Sequence, residues 1–158
     1  MLYLDTNLLI VYLTNTPPEH GLPTRDLFRD LSTGAMIATT TEGILVEATF
    51  ILSSKKGLAY PRELVAEELT RILSFRGLRL HNLDLHIRAL ARFGSTNLDY
   101  VDCILIESAV GPDDAVVSFD RDYDRVRPGL RLEPPLGRQK SPTLERADAR
   151  DQEIEDLP

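Results

Sequence analysis

Two short apolar runs, Leu2-Tyr3-Leu4 and Ala115-Val116-Val117, each end abruptly in a polar, acidic turn. The first runs into Asp5-Thr6-Asn7 and the second into Ser118-Phe119-Asp120. Runs this short, bounded by turn residues, read as buried strands and not as helices. Between them the chain alternates strand-like and helix-like stretches. Leu8 to Leu13 follow the first turn as a helix, and a second helix is expected over about Thr24 to Ser32, ending before Gly34. Met36-Ile37-Ala38 reads as a strand, and Thr39 to Glu42 as the start of a helix. In that helix Ile44, Leu45, Ala48, Ile51 and Leu52 recur at helical spacing as far as Gly57. Pro61 and Arg62 open another, with Leu64, Val65, Leu69, Ile72 and Leu73 on one face. Leu78 and Leu80 flank Arg79 as a strand, Leu83 to Phe93 form a helix stopping at Gly94, and Tyr100 to Val110 an apolar helix stopping at Gly111-Pro112. A last strand lies around Leu130 to Leu132.

Strands alternating with one or two helices specify an α/β domain built on a parallel sheet. We expect this domain to occupy residues 1–136. Residues 137–158 shift to Arg, Lys, Glu, Asp and Gln and read as a disordered or loosely helical tail. No apolar run approaches the roughly 20 residues that span a bilayer. The N-terminus lacks a basic leader and carries Asp5 inside its apolar stretch, so it reads as strand and helix and not as a signal peptide. The lone cysteine, Cys103, leaves no internal disulfide to expect, and the cytoplasm is the expected compartment.

The formal net charge of -7 argues against a phosphate-binding surface, which normally rests on Lys and Arg. The argument reverses if the acids hold cations, because bound divalent ions attract phosphate themselves. Position decides between these. In an open parallel sheet, ligands sit beyond the carboxyl ends of the strands, and Asp5 and Asp120 stand at two such ends. Asp102 lies among Val101, Cys103, Ile104 and Leu105, and Glu47 lies near the inward face of the helix from Ile44 to Leu52. A carboxylate on an apolar face is costly unless it takes up a proton or finds a cation. Neither apolar helix carries Lys or Arg. Acids converging on one crevice would therefore call for Mg²⁺ or Mn²⁺, and two such ions could activate water against a phosphodiester. Each acid also has an ordinary explanation. Asp5 or Asn7 would cap a helix, Glu47 would be a solvated helix residue, Asp99 and Asp102 would favour a helix N-terminus, and Asp120, Asp122 and Asp124 would be a polar turn.

Competing motifs fail on particular residues. The Asp120-x-Asp122-x-Asp124 run begins like a calcium loop, but Arg125 and Arg131 stand where glycine and glutamate are required. His81 and His86 are poorly spaced for zinc. The chain has no Walker A loop, dinucleotide-binding glycine motif or nucleophile elbow. Asn7 replaces the second acid that an aspartyl-phosphate phosphatase uses after its first strand.

Taken in order, Leu4-Asp5-Thr6-Asn7, Val46-Glu47-Ala48, Leu98-Asp99-Tyr100-Val101-Asp102 and Val117-Ser118-Phe119-Asp120-Arg121-Asp122-Tyr123 resemble the PIN-domain family of metal-dependent ribonucleases. The similarity covers about Met1 to Leu132. It implies a three-layer sandwich with a parallel sheet in order 3-2-1-4-5, and Mg²⁺ or Mn²⁺ with water as nucleophile. By motif position it implies Asp5, Glu47, Asp102 and Asp120 as metal-binding and catalytic acids. Asn7 and Ser118 match supporting polar positions, and Asp99 and Asp122 fall beside the motif acids. Asp122 remains an alternative to Asp120, and Glu42 to Glu47. Small single-domain members resemble the toxin halves of VapBC-type toxin–antitoxin pairs, which implies an RNA substrate, a small antitoxin partner and a homodimer.

Lys55, Lys56, Arg62, Arg71, Arg76 and Arg79, with Arg121 and Arg125 beside the last acidic turn, are the candidate phosphate contacts. With only five Phe and five Tyr, extensive base stacking is not expected, and recognition of a folded or looped RNA by shape is. The reading is a metal-dependent endoribonuclease. The alternatives are a non-catalytic PIN-like module binding RNA or protein and, more weakly, a phosphatase acting on small phosphoesters.

Overall fold

Two strands can lie parallel only if the chain crosses over between them, and in this protein two helices fill each crossover of the larger sheet. The computed structural model describes residues 1–134. It divides into two compact units, Met1–Asp114 and one beginning at Ala115. The expected tail at 137–158 lies outside the described residues.

In the first unit the order is β1 (Leu2–Tyr3), α1 (Thr6–Thr14), α2 (Pro18–Thr33), β2 (Ala38–Thr39), α3 (Glu42–Ser53), α4 (Arg62–Leu73), β3 (Leu78–Arg79), α5 (Leu83–Ser95) and α6 (Tyr100–Ser108). The sheet is parallel with β2 in the middle, pairing Leu2 with Ala38 and Ala38 with Leu78. Its core draws Leu9 from α1, Phe28 and Leu31 from α2, Leu45 and Leu52 from α3, Leu69 and Ile72 from α4, and Leu90 from α5. Tyr12 stacks on Phe28 with ring centroids 4.1 Å apart, and Phe75 meets both rings edge-on. α3 packs against both α1 and α6, which sets the helix of Glu47 between the helices that follow Asp5 and carry Asp102. No helix among the described residues is long and apolar enough to cross a membrane.

The second unit pairs β4 (Val116–Val117) in parallel with β5 (Arg131–Leu132), joined through a 3-10 turn at Arg121–Arg125. Among its described residues, Val116, Tyr123 and Leu130 are buried.

The α/β class with a parallel sheet and flanking helices is present, but among the described residues the single five-stranded sheet in order 3-2-1-4-5 is not. The strands form a three-stranded sheet and a separate two-stranded one. Strands of two residues each offer few ladder hydrogen bonds, so sheet continuity is weakly encoded. Other boundaries move for local reasons. α2 begins at Pro18, six residues before the expected start, with Pro at its first position and Pro23 inside it. Proline costs little at a helix start but about 3 kcal/mol in an interior, which is why the pattern reads as helical only from Thr24. β2 lies at Ala38–Thr39, shifted toward the following helix. α5 runs through Gly94 to Ser95 instead of stopping there. A Cβ at Gly94 would stand 2.9 Å from the Cβ of Ala66, so the glycine lets α4 and α5 cross closely and is not a terminator.

Candidate acidic site

β1 leads into Leu4, which is buried and donates its N–H to the carbonyl of Thr39 at 2.8 Å. The buried hydroxyl of Thr40 donates to the Leu4 carbonyl, so the strand end is fixed from both sides. Asp5 follows as the N-cap of α1, its Oδ1 accepting the Thr6 N–H at 2.8 Å. The capping explanation and the site explanation thus fall on one residue. The Asn7 amide approaches the other carboxylate oxygen at 3.5 Å.

Thr6 is 3% exposed, and its hydroxyl donates to Glu47 Oε2 on α3 at 2.5 Å. One threonine therefore gives its amide to Asp5 and its hydroxyl to Glu47, across 41 residues of sequence. Sequence reasoning passed over Thr6. The available signal was a hydroxyl residue directly after the strand-end acid, at the first position of a helix.

Asp99 is the N-cap residue of α6, and Asp102 lies in its first turn, half-buried. Two devices hold this turn. Tyr100, 3% exposed, places its hydroxyl 3.0 Å from His86 Nδ1 on α5. Arg62, at the start of α4, donates to the carbonyls of Phe93 and Leu98 and stacks on the Phe93 ring at 3.8 Å. Burial pushes the His86 pKa down, opposed by Glu42, whose carboxylate lies 3.7 Å from Nε2; His81 lowers it further. Burial also raises the Tyr100 phenol and takes the Cys103 thiol to about 11, so both stay protonated at neutral pH. A cleft of about 340 Å³ opens beside Asp99, with Lys55 and Arg62 among its lining residues.

In the second unit, Ser118 Oγ accepts the Asp120 N–H at 3.0 Å, and Asp120 Oδ1 accepts the Asp122 N–H at 2.9 Å. Asp122 pairs with Arg125 at 2.9 Å. Arg131 grips both oxygens of Asp124, at 2.9 and 3.0 Å, and also reaches Glu133 and the Ser118 carbonyl. The hydrogen bonds from Arg131 hold the Asp124 carboxyl below the usual carboxylate range.

One expectation is corrected. The acids do not sit on buried apolar faces: Asp5, Glu47, Asp99 and Asp120 are exposed, because Glu47 occupies the solvent side of α3 beside the buried Ala48. Burial therefore does not compel a cation. Among the described residues no group of three or more His, Cys, Asp or Glu side chains could hold a metal ion. What is brought together is the pair Asp5 and Glu47 through Thr6, with Asn7 beside Asp5. Carboxylate oxygens are the right donors for Mg²⁺ or Mn²⁺, but among the described residues the donor set is not closed. Several candidate phosphate contacts are already occupied. Arg71 is held by Glu68 and Tyr12, Arg125 by Asp122, and Arg62 by two carbonyls.

The PIN domain family model matches residues 2–128. The chain belongs to the PIN domain family. PIN domains are in general nucleases. No curated protein matches this PIN domain.

Proposed function

We propose that this PIN domain is an endoribonuclease that hydrolyses RNA phosphodiester bonds with Mg²⁺ or Mn²⁺. Asp5, Glu47, Asp102 and Asp120 are its acids. Asn7 and Ser118 support them, and Asp99 and Asp122 stand beside them. The observation that carries the reading is Thr6, which holds Asp5 and Glu47 side by side at the carboxyl end of β1. A cap needs one carboxylate; a second, brought from 41 residues away onto the same threonine, is what chemistry on a phosphodiester needs. The same reading makes the chain the cytoplasmic toxin of a toxin–antitoxin pair, restrained by a small antitoxin and acting as a homodimer.

The test is cleavage of a labelled RNA by purified protein in Mg²⁺ and in Mn²⁺, beside the Asp5→Asn and Asp102→Asn variants. Cleavage by the parent alone supports the reading. Equal cleavage by the variants removes the assigned site. The second reading, a non-catalytic PIN-like module that binds RNA or protein, is favoured by the lack, among the described residues, of a group of three or more side chains that could hold a metal ion. It requires RNA or protein binding without turnover in either metal.

A further inference from the structure

We propose that Phe119 is the stacking platform for one base of single-stranded RNA, beside the phosphate on which Asp120 acts. The proposal rests on the ribonuclease reading and names how that site takes its substrate.

The second unit builds its core without Phe119. Val116, Tyr123 and Leu130 turn inward, while Val117 is 53% and Phe119 72% exposed. Val117 faces outward from β4, opposite to Val116, and Phe119 lies in the bend that follows the strand. A phenylalanine ring gains nothing from water, and among the described large apolar side chains only Met1 is more exposed. The ring is also not on a loose loop. The Ser118 N–H donates to the Leu132 carbonyl at 3.0 Å, and the Ser118 carbonyl accepts from Arg131 at 3.1 Å. Ser118 Oγ then bridges past Phe119 to the Asp120 N–H, and Asp120 caps the turn that follows. Both neighbours of Phe119 are pinned, and the ring is displayed on a fixed mount.

The surroundings select the ligand. Asp120, Arg121, Asp122 and the 83%-exposed side chain of Arg125 follow the ring, so with Val117 it makes at most a small apolar spot bordered by charges. A protein partner would need more apolar surface than one ring and one valine provide. A nucleobase needs one planar face, and its flanking phosphates suit an exposed arginine such as Arg121. Base faces are hidden in a duplex and open in a loop or single strand. One platform is also consistent with the scarcity of aromatic residues.

The chain has no tryptophan, so Phe119→Trp installs a single reporter. The probe is an uncleavable 2′-O-methyl adenosine oligonucleotide of about ten nucleotides, titrated in chelator. The expected result is saturable quenching of that indole, with none for Leu22→Trp, whose position on α2 is also 72% exposed. Phe119→Ala should bind the labelled oligonucleotide roughly tenfold more weakly, and Phe119→Tyr within about twofold of the parent. Parent cleavage of RNA is measured alongside. If the parent cleaves, but the indole is not quenched or Phe119→Ala binds as the parent does, stacking is overturned and the ribonuclease reading stands. Equal quenching at Leu22→Trp, or equal quenching by the duplexed probe, overturns it as well. A blue shift of the indole that depends on protein concentration alone would assign the ring to a second copy of the chain. A parent that neither binds nor cleaves RNA overturns both readings.

Discussion

The acids of the first unit and those of the turn after β4 are held by different kinds of neighbours. Asp5 and Glu47 are held by a backbone amide and a hydroxyl, both from Thr6. Asp122 and Asp124 are held by arginines, Arg125 and Arg131. Neutral donors fix the position of a carboxylate while leaving its charge uncompensated, whereas a guanidinium fixes it and spends the charge. Asp120 stands among the arginine-held acids but is capped like Asp5, accepting a backbone N–H. The teaching is that geometry and charge can be set separately. Acids positioned by neutral groups keep charge for a substrate or an ion, and acids positioned by arginine shape a loop.

The largest expected effect tests that division directly. Asp5→Asn should lower RNA cleavage by about a hundredfold or more without lowering the melting temperature, since the amide oxygen still caps α1. Full activity in that variant would end the distinction. Next comes Thr6→Val, which keeps shape and removes the hydroxyl. It should cost about 1 kcal/mol of stability and reduce cleavage about tenfold by releasing Glu47. Chemical denaturation and initial rates read the two effects separately, and an unchanged rate would make the Thr6–Glu47 bond purely structural.

A smaller effect concerns His86, whose folded-state pKa lies below its ordinary value of 6.5. The unfolded chain then binds the proton more readily. Stability should fall as pH drops below 6.5 and level off below the folded pKa. Denaturation midpoints across that range should show the slope, and His86→Gln should flatten it. The smallest effect is expected for Asp124→Asn. Asp124 is depressed by Arg131, so its contribution is present above its ordinary value of 3.8 and lost as pH falls below it. The variant should melt slightly earlier at neutral pH, match the parent in acid, and cleave RNA at the parental rate. A large loss of cleavage would mean that an arginine-held acid is part of the chemistry after all.

Much of the first unit was legible in the sequence because its signals are local. The starts of α3, α4 and α6 follow from Thr41, Pro61 and Asp99, and β1 and β3 from short apolar runs between polar residues. What escaped depends on distant residues. That Thr6 meets Glu47, and that Arg62 is consumed by Phe93 and Leu98, are contacts across 41, 31 and 36 residues that no local pattern records. Gly94 looked like a stop because its need, close approach to Ala66, lies on another helix. The acids were correctly placed on elements but wrongly placed in depth. A helical repeat says which face is apolar, yet residue 47 lies at its edge, where a small rotation decides between core and solvent.

The grip of Arg62 ties together three stretches of chain that are far apart in sequence: the start of α4, the last turn of α5 and the approach to α6. Backbone carbonyls restrained in this way are released only when the arginine lets go, so these stretches behave as one cooperative opening unit. Amide protons at the beginning of α6 should consequently exchange with solvent at the pace of α4, and removing one guanidinium would let the acidic end of α6 breathe on its own.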